Sequence, residues 1–234
     1  MDDGWVCIGH SHVGALGQAS GGALDVINFW DVGDLWAHWD AELLRPLRED
    51  LAARVANGRV VISAIGGSAH FVLGMVEHVQ PFDFVLSSDP DLPLDETRQL
   101  LPLDAVRETI KDLAMPLLRG LSVVAGLANG PLIHIAPPPP LAVVLHARTK
   151  FEFPREHFIG KTDMPTPKWP RYKMWRLHCE VIEDYCNQHG VRYLDAPRSA
   201  VDDEGFLRPD LDADGMHGTT EYGKLVLDDI WRAL

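Results

Sequence analysis

Short apolar runs that stop at glycine or proline alternate with longer helical stretches along this chain, and no other feature limits its fold as much. Trp5-Val6-Cys7-Ile8 ends at Gly9, residues 23–30 centre on Val26-Ile27-Asn28-Phe29, residues 60–65 run into Gly66-Gly67, and residues 132–136 stop at Pro137-Pro138-Pro139-Pro140. Val191-Arg192-Tyr193-Leu194 is a further run. Segments this short, bounded by such residues, read as strands. Helical composition fills 35–56, where Pro46 divides the stretch or marks a new start, and 103–127, with an interruption or restart near Pro116; it returns over 172–188 and 219–234. Proline lacks an amide donor and crowds the preceding turn, hence the expected breaks. Alternation repeated four to five times predicts an α/β fold with a mostly parallel sheet covered on both faces. Four successive prolines cannot donate to a central strand, so 137–140 read as a sheet-edge exit or loop. Ligands of such sheets meet the loops beyond the strands' carboxyl ends. Ser11, Gly33, His70 and the proline run all follow predicted strands, so one sheet edge can gather them.

At 234 residues with no Ser/Gly linker, residues 1–234 read as a single domain. Lys plus Arg number 21 against 34 Asp plus Glu, a net charge of -13, which argues against nucleic acid as a general partner. No run approaches the roughly 18 apolar residues of a membrane span, so no membrane partner is expected. The first residues reach Asp2 and Asp3 without a basic flank and an apolar core, so no secretory signal is read and a cytoplasmic location is expected. Cys7, Cys179 and Cys186 lack metal-type spacing and are odd in number, which favours reduced core thiols over a disulfide framework. Phosphate-loop and dinucleotide glycine patterns are absent, Gly14 and Gly17 being wrongly spaced, and no cofactor is expected.

Two segments carry chemistry: Gly9-His10-Ser11-His12 after the first run and Asp214-Gly215-Met216-His217 before the last helix. A serine hydroxyl becomes a useful nucleophile when a base takes its proton, and a carboxylate can orient that base. Ser11, His217 and Asp214 supply those three groups. Taken singly each has a plain structural reading: Ser11 as a turn or helix-cap residue, Asp214 as a turn cap, His217 as a local packing residue.

The two segments together resemble the SGNH/GDSL hydrolase family, whose nucleophile follows the first strand and whose Asp-x-x-His pair precedes the last helix. Gly9-His10-Ser11 is similar to the Gly-Asp-Ser block, with His10 in the middle place. Asp214-Gly215-Met216-His217, followed by Gly218-Thr219-Thr220-Glu221-Tyr222-Gly223, is the more specific match. The resemblance spans residues 5 to 234 in element order, with no clear counterpart for 145–171, which read as an inserted loop or lid. It implies a three-layer α/β/α sandwich in the flavodoxin-like SGNH arrangement. It also implies ester hydrolysis through an acyl-enzyme, without a metal or other cofactor, on a small polar acyl ester such as a carbohydrate O-acetyl ester. Thioesterases and acyltransferases share the pattern. The oxyanion hole implied by the resemblance comprises Ser11, Gly33 and a third donor. The family's Gly-x-Asn-Asp block is replaced here by Gly66-Gly67-Ser68-Ala69-His70, which lacks the asparagine amide. His70 is the favoured replacement, Ser68 the second, and the Ser11 and Gly33 amides alone the third.

The interval 148–176 reverses the acidic balance with Arg148, Lys150, Arg155, Lys161, Lys168, Arg171, Lys173 and Arg176 among aromatic residues and prolines. It reads as an attractor for an anionic or sugar-acid substrate, or else as an oligomer contact or charged surface. His12, Trp30, Trp169 and Arg171 are the substrate-binding candidates, and Trp30, Trp36 and Trp39 read either as helix packing or as a sugar platform. Two further classes compete with the serine hydrolase. One is a metal hydrolase using His10, His12, His70 and His217 with Asp214; the other is a noncatalytic binding protein on the same scaffold.

Overall fold

A computed structural model describes residues 4–29, 45–55, 58–144 and 161–234. Its centre is a five-stranded sheet of β1 (Trp5–Gly9), β2 (Asp25–Asn28), β3 (Val60–Ala64), β7 (Leu132–Ile135) and β9 (Arg192–Leu194), in the spatial order β2-β1-β3-β7-β9. All four pairings are parallel. This is the flavodoxin-type order, which reverses direction beside the first strand and opens a crevice there. The helices are α1 (Val13–Ala19), α2 (Arg45–Val55), α3 (Ala69–Gly74), α4 (Leu103–Leu127), α5 (Lys168–Gln188) and α6 (Thr220–Ala233). Two short pairs lie outside the main sheet: β4 (Val76–His78) with β8 (Lys161–Pro165), antiparallel, and β5 (Phe82–Asp83) with β6 (Gln99–Leu100), parallel.

Side chains alternate across a strand, so a strand buried on both faces feeds two cores. Val6, Ile8 and Val61 face the core made with Leu51 and Val55 of α2, Ile110 and Leu118 of α4, and Leu177 and Val181 of α5. Cys7, Ile62 and Ala64 face the opposite core, with Val13 and Leu16 of α1 and Val226 and Ile230 of α6. The parallel sheet covered on both faces, expected from the alternation, is present, and with it the three-layer sandwich implied by the resemblance. Cys7, Cys179 and Cys186 are free and buried, as expected. Among the described residues no helix is long and apolar enough to cross a membrane.

Three expectations about elements need correction. α4 runs unbroken through Pro116, because Pro116 and Asp112, whose carbonyl loses its helical donor, both lie on the exposed face where water can serve instead. α5 begins at Lys168 rather than near 172, since Pro167 sits outside the helix and Pro170 falls within the first turn, where no amide bond is lost. The second half of the expected loop or lid, 161–171, is therefore regular structure, β8 followed by the start of α5. Residues 145–160 lie outside the described residues.

The 82–101 excursion is tied down by a buried ion pair. Lys173 Nζ of α5 lies 2.5 Å from Asp83 Oδ1, with the two side chains 1% and 0% exposed, and it donates to the Pro93 carbonyl at 3.2 Å. Asp83 also accepts from the Phe84 and Asp95 amides. Deleting one partner strands the other charge in the interior, so Lys173→Met is expected to cost roughly 3–5 kcal/mol. Scanning calorimetry should show Tm lowered by about 10 °C; an unchanged Tm would mean that Asp83 finds water once the lysine is gone.

Candidate active site

The Gly9-His10-Ser11-His12 segment is set by close packing. A Cβ at Gly9 would fall 2.6 Å from the Ala64 carbonyl oxygen, so only glycine lets β1 and β3 approach at their carboxyl ends. The chain then turns through His10-Ser11-His12 into α1, with Val13 N donating to His10 O at 3.1 Å and Gly14 N to Ser11 O at 3.1 Å. No side chain caps α1. The half-buried Ser11 hydroxyl instead bonds to His217 Nε2 at 2.7 Å.

The opposite segment is a loop built around two carboxylates. Asp212 accepts from Gly215 N at 2.8 and 3.0 Å, and Gly215 has φ 92°, a left-handed conformation that a side chain would strain. The turn brings Met216 N and His217 N onto Asp214 Oδ1 at 3.0 and 2.9 Å. Asp214 Oδ2 is left to accept from His217 Nδ1 at 2.8 Å. That bond places the imidazole proton on Nδ1 and leaves Nε2 as an acceptor toward Ser11. Burial raises the Asp214 carboxyl, but hydrogen bonds from the His217 ring and from the His217 and Met216 amides outweigh it and hold it below the ordinary value. The group beside the His217 ring is therefore held as a carboxylate. Thr219 ends the loop by capping α6, its Oγ1 accepting from Tyr222 N at 3.4 Å. Helix α6 is pressed on α1 so closely that a Cβ at Gly223 would meet the Ala15 carbonyl oxygen at 2.4 Å, which fixes the two segments against each other.

The other candidates divide. His12 packs against His217, with ring centroids 5.2 Å apart. His10 is 7% exposed and meets Phe29 edge-on at 5.2 Å. His70 lies 2% exposed on α3 with Nδ1 2.9 Å from Nδ1 of the fully buried His178. Burial, then the neighbouring His178 and His12, hold its pKa well below the ordinary value. Ser68 precedes α3 and makes no side-chain cap. Gly33, Trp30, Trp36 and Trp39 lie outside the described residues.

The basic segment needs correction. Arg171 is 6% exposed, and its guanidinium donates to the main-chain carbonyls of Thr166, of Leu141 at 2.6 Å and of Ala142 at 3.2 Å; it braces the chain after the proline run and has no free face for a substrate. Lys168 pairs with Glu204, Lys173 with Asp83, and Arg176 with Asp195. Their charge is answered by carboxylates distant in sequence, so these three side chains are not a free anion attractor; the Lys161 side chain lies outside the described residues. Arg148, Lys150 and Arg155 lie outside the described residues. Trp169 meets Phe206 at a tilt and Tyr172 edge-on, at centroid distances of 5.2 and 6.0 Å.

Among the described residues no three His, Cys, Asp or Glu side chains are arranged to hold a metal ion. Of the residues weighed for a metal hydrolase, His217 has both ring nitrogens engaged by Ser11 and Asp214, and His70 is paired with His178. Sequence reasoning passed over Asp212, although Asp212 three residues before Gly215 is the local pattern of a carboxylate-capped turn. It also passed over His178, for which no local signal exists.

No protein-family model matches the chain, and no curated protein matches it. Among solved structures it is similar to a carbohydrate acetylesterase from Sinorhizobium meliloti, at 13% identity over 99% of both chains with a TM-score of 0.46. It is also similar to a GDSL-like lipase from Bacteroides thetaiotaomicron, at 16% identity over 99% of this chain and 89% of that one, TM-score 0.45. A third likeness is the aryl esterase of M. smegmatis, at 14% identity over 98% of both chains, TM-score 0.46. Likeness at this level does not carry chemistry from those proteins to this chain, whose own side chains have to supply it.

Proposed function

We propose that this protein is a serine-dependent hydrolase of small acyl esters working through an acyl-enzyme. One observation carries the reading: the continuous hydrogen-bonded chain from Asp214 through His217 to Ser11, with the tautomer that lets His217 Nε2 accept the serine proton. Ser11 Oγ attacks the ester carbonyl while His217 takes the proton, then returns it to the leaving oxygen; water repeats the sequence on the acyl-enzyme. Asp214 keeps the imidazole oriented and stabilises its charged form. The Ser11 amide, which has no backbone acceptor among the described residues, can donate to the developing oxyanion. The substrate we assign is an O-acetyl ester of a carbohydrate or another polar metabolite. His12 and Pro137 close on Gly67 so tightly that a Cβ there would fall 3.0 and 3.3 Å from them, and crowding of this kind in the block after β3 supports a short acyl group.

The test is an organophosphonate probe with intact-mass detection, beside turnover of p-nitrophenyl acetate in a chelator. The expected result is one adduct per chain, absent from Ser11→Ala, and turnover unaffected by the chelator. Turnover abolished by the chelator and restored by a divalent ion, with no adduct, would overturn the reading.

A further inference from the structure

The oxyanion block of this chain lacks the asparagine amide found in the family it resembles, and the structure offers a different donor. His12 follows the nucleophile and lies across that block: a Cβ at Gly67 would fall 3.0 Å from both His12 Nε2 and Cδ2, so this edge of the ring covers the residue before Ser68. His12 Nδ1 and the hydroxyl of Tyr222 are both buried with no hydrogen-bond partner among the described residues. Both residues line one enclosed cavity of about 10 Å³ with Ile135, Pro138 and Gly218, the size at which a polar site begins to hold a single water. A hydroxyl donor acting through one water would make Nδ1 an acceptor and put the ring proton on Nε2, on the edge that lies over Gly67.

We propose that His12 is an oxyanion donor, its Nε2–H bonding the anionic oxygen formed when Ser11 attacks the ester, with Tyr222 and a bridging water fixing the tautomer. The proposal rests on the serine-hydrolase reading above. Burial above all, then the nearby His217, His10 and His178 against the opposing Asp214, pushes His12 down to about 3, so the donor is a neutral imidazole that adds no charge beside the base. His70, the donor favoured by position in the sequence, is 2% exposed, with Nδ1 engaged by His178 and Nε2 buried without a partner among the described residues, so it lies deeper than the half-buried His12. The Ser68 hydroxyl makes no cap bond to hold it, whereas the His12 ring is clamped between Gly67 and His217, and pre-orientation is what makes such a donor effective.

His12→Leu removes the donor at similar volume, and His12→Gln keeps an amide donor. With p-nitrophenyl acetate, His12→Leu is expected to lower kcat about 100- to 1,000-fold with KM within about threefold, and to slow organophosphonate labelling of Ser11 in proportion. His12→Gln should recover at least about tenfold of that loss at the same Tm. Tyr222→Phe should lower kcat about three- to tenfold. Equal losses in the two His12 variants, kcat in His12→Leu within about threefold of the parent, or a comparable loss appearing instead in Ser68→Ala would overturn the proposal. Ser11→Ala separates the two failures: if it turns over substrate and the parent takes no label, the serine reading itself has fallen.

Discussion

Ser11→Ala is expected to lower kcat for p-nitrophenyl acetate by about 10⁶-fold, and His217→Ala by about as much. The two should not compound. Without the hydroxyl there is no proton for His217 to take, and without the base the hydroxyl stays a poor nucleophile, so the double variant should lose no more than either single one. Asp214→Asn is expected to cost roughly 10⁴-fold while leaving the fold intact, because an amide at that place can donate to His217 Nδ1 and reverse the tautomer. The local geometry makes this swap informative: Asp214 Oδ1 is held by two backbone amides, so the oxygen facing them must remain an acceptor and the NH₂ of an asparagine would turn toward the ring. Burst and steady-state kinetics on the four proteins check the set. More than about 1% of the parent rate in Ser11→Ala, or losses that multiply in the double variant, would sink the idea that these groups act as one unit.

The second large effect is on stability toward acid. His10, His70, His134 and His178 are 7%, 2%, 1% and 0% exposed. Burial lowers His10 to about 4 and His134 and His178 to about 3, in the last against an opposing hydrogen bond to the Gly66 carbonyl; His70 is also held well below its usual value. In the unfolded chain each titrates near 6.5. Below that pH the unfolded state takes up protons that the native state refuses, so stability is fully present above about 6.5 and falls as the pH drops toward the native values. Each group contributes about 1.4 kcal/mol per pH unit, so four together remove roughly 5 kcal/mol per unit, a large share of a typical domain's stability. Thermal melts from pH 7.5 to 4.5 should show Tm falling steeply below about pH 6.5, above the range where carboxylates titrate. A Tm flat to pH 5 would show that these rings protonate without leaving the core. His134→Gln, which can keep the 3.0 Å contact to Ser63, should make the fall shallower.

What the sequence determined by itself is what short-range physics sets. The strands at Trp5–Gly9, Val60–Ala64 and Leu132–Ile135 follow from apolar runs cut by glycine or proline, and their parallel order follows from the helices between them. Asp214 and His217 are three residues apart, so one turn suffices to bring carboxylate and ring together. The Thr219 cap just after them is local in the same sense. Only the tertiary structure decided which groups remain free for chemistry. Of the two readings of the basic segment, the substrate attractor loses Lys173, Lys168 and Arg176, because they meet Asp83, Glu204 and Asp195. The assignment of His70 was complicated by His178, 108 residues away in sequence. The expected break at Pro116 failed because its helix turns that position toward water. A residue's type and spacing state what it can donate, accept or bury. Whether a distant chain segment has already taken that capacity depends on packing, which brings together groups that no local pattern links.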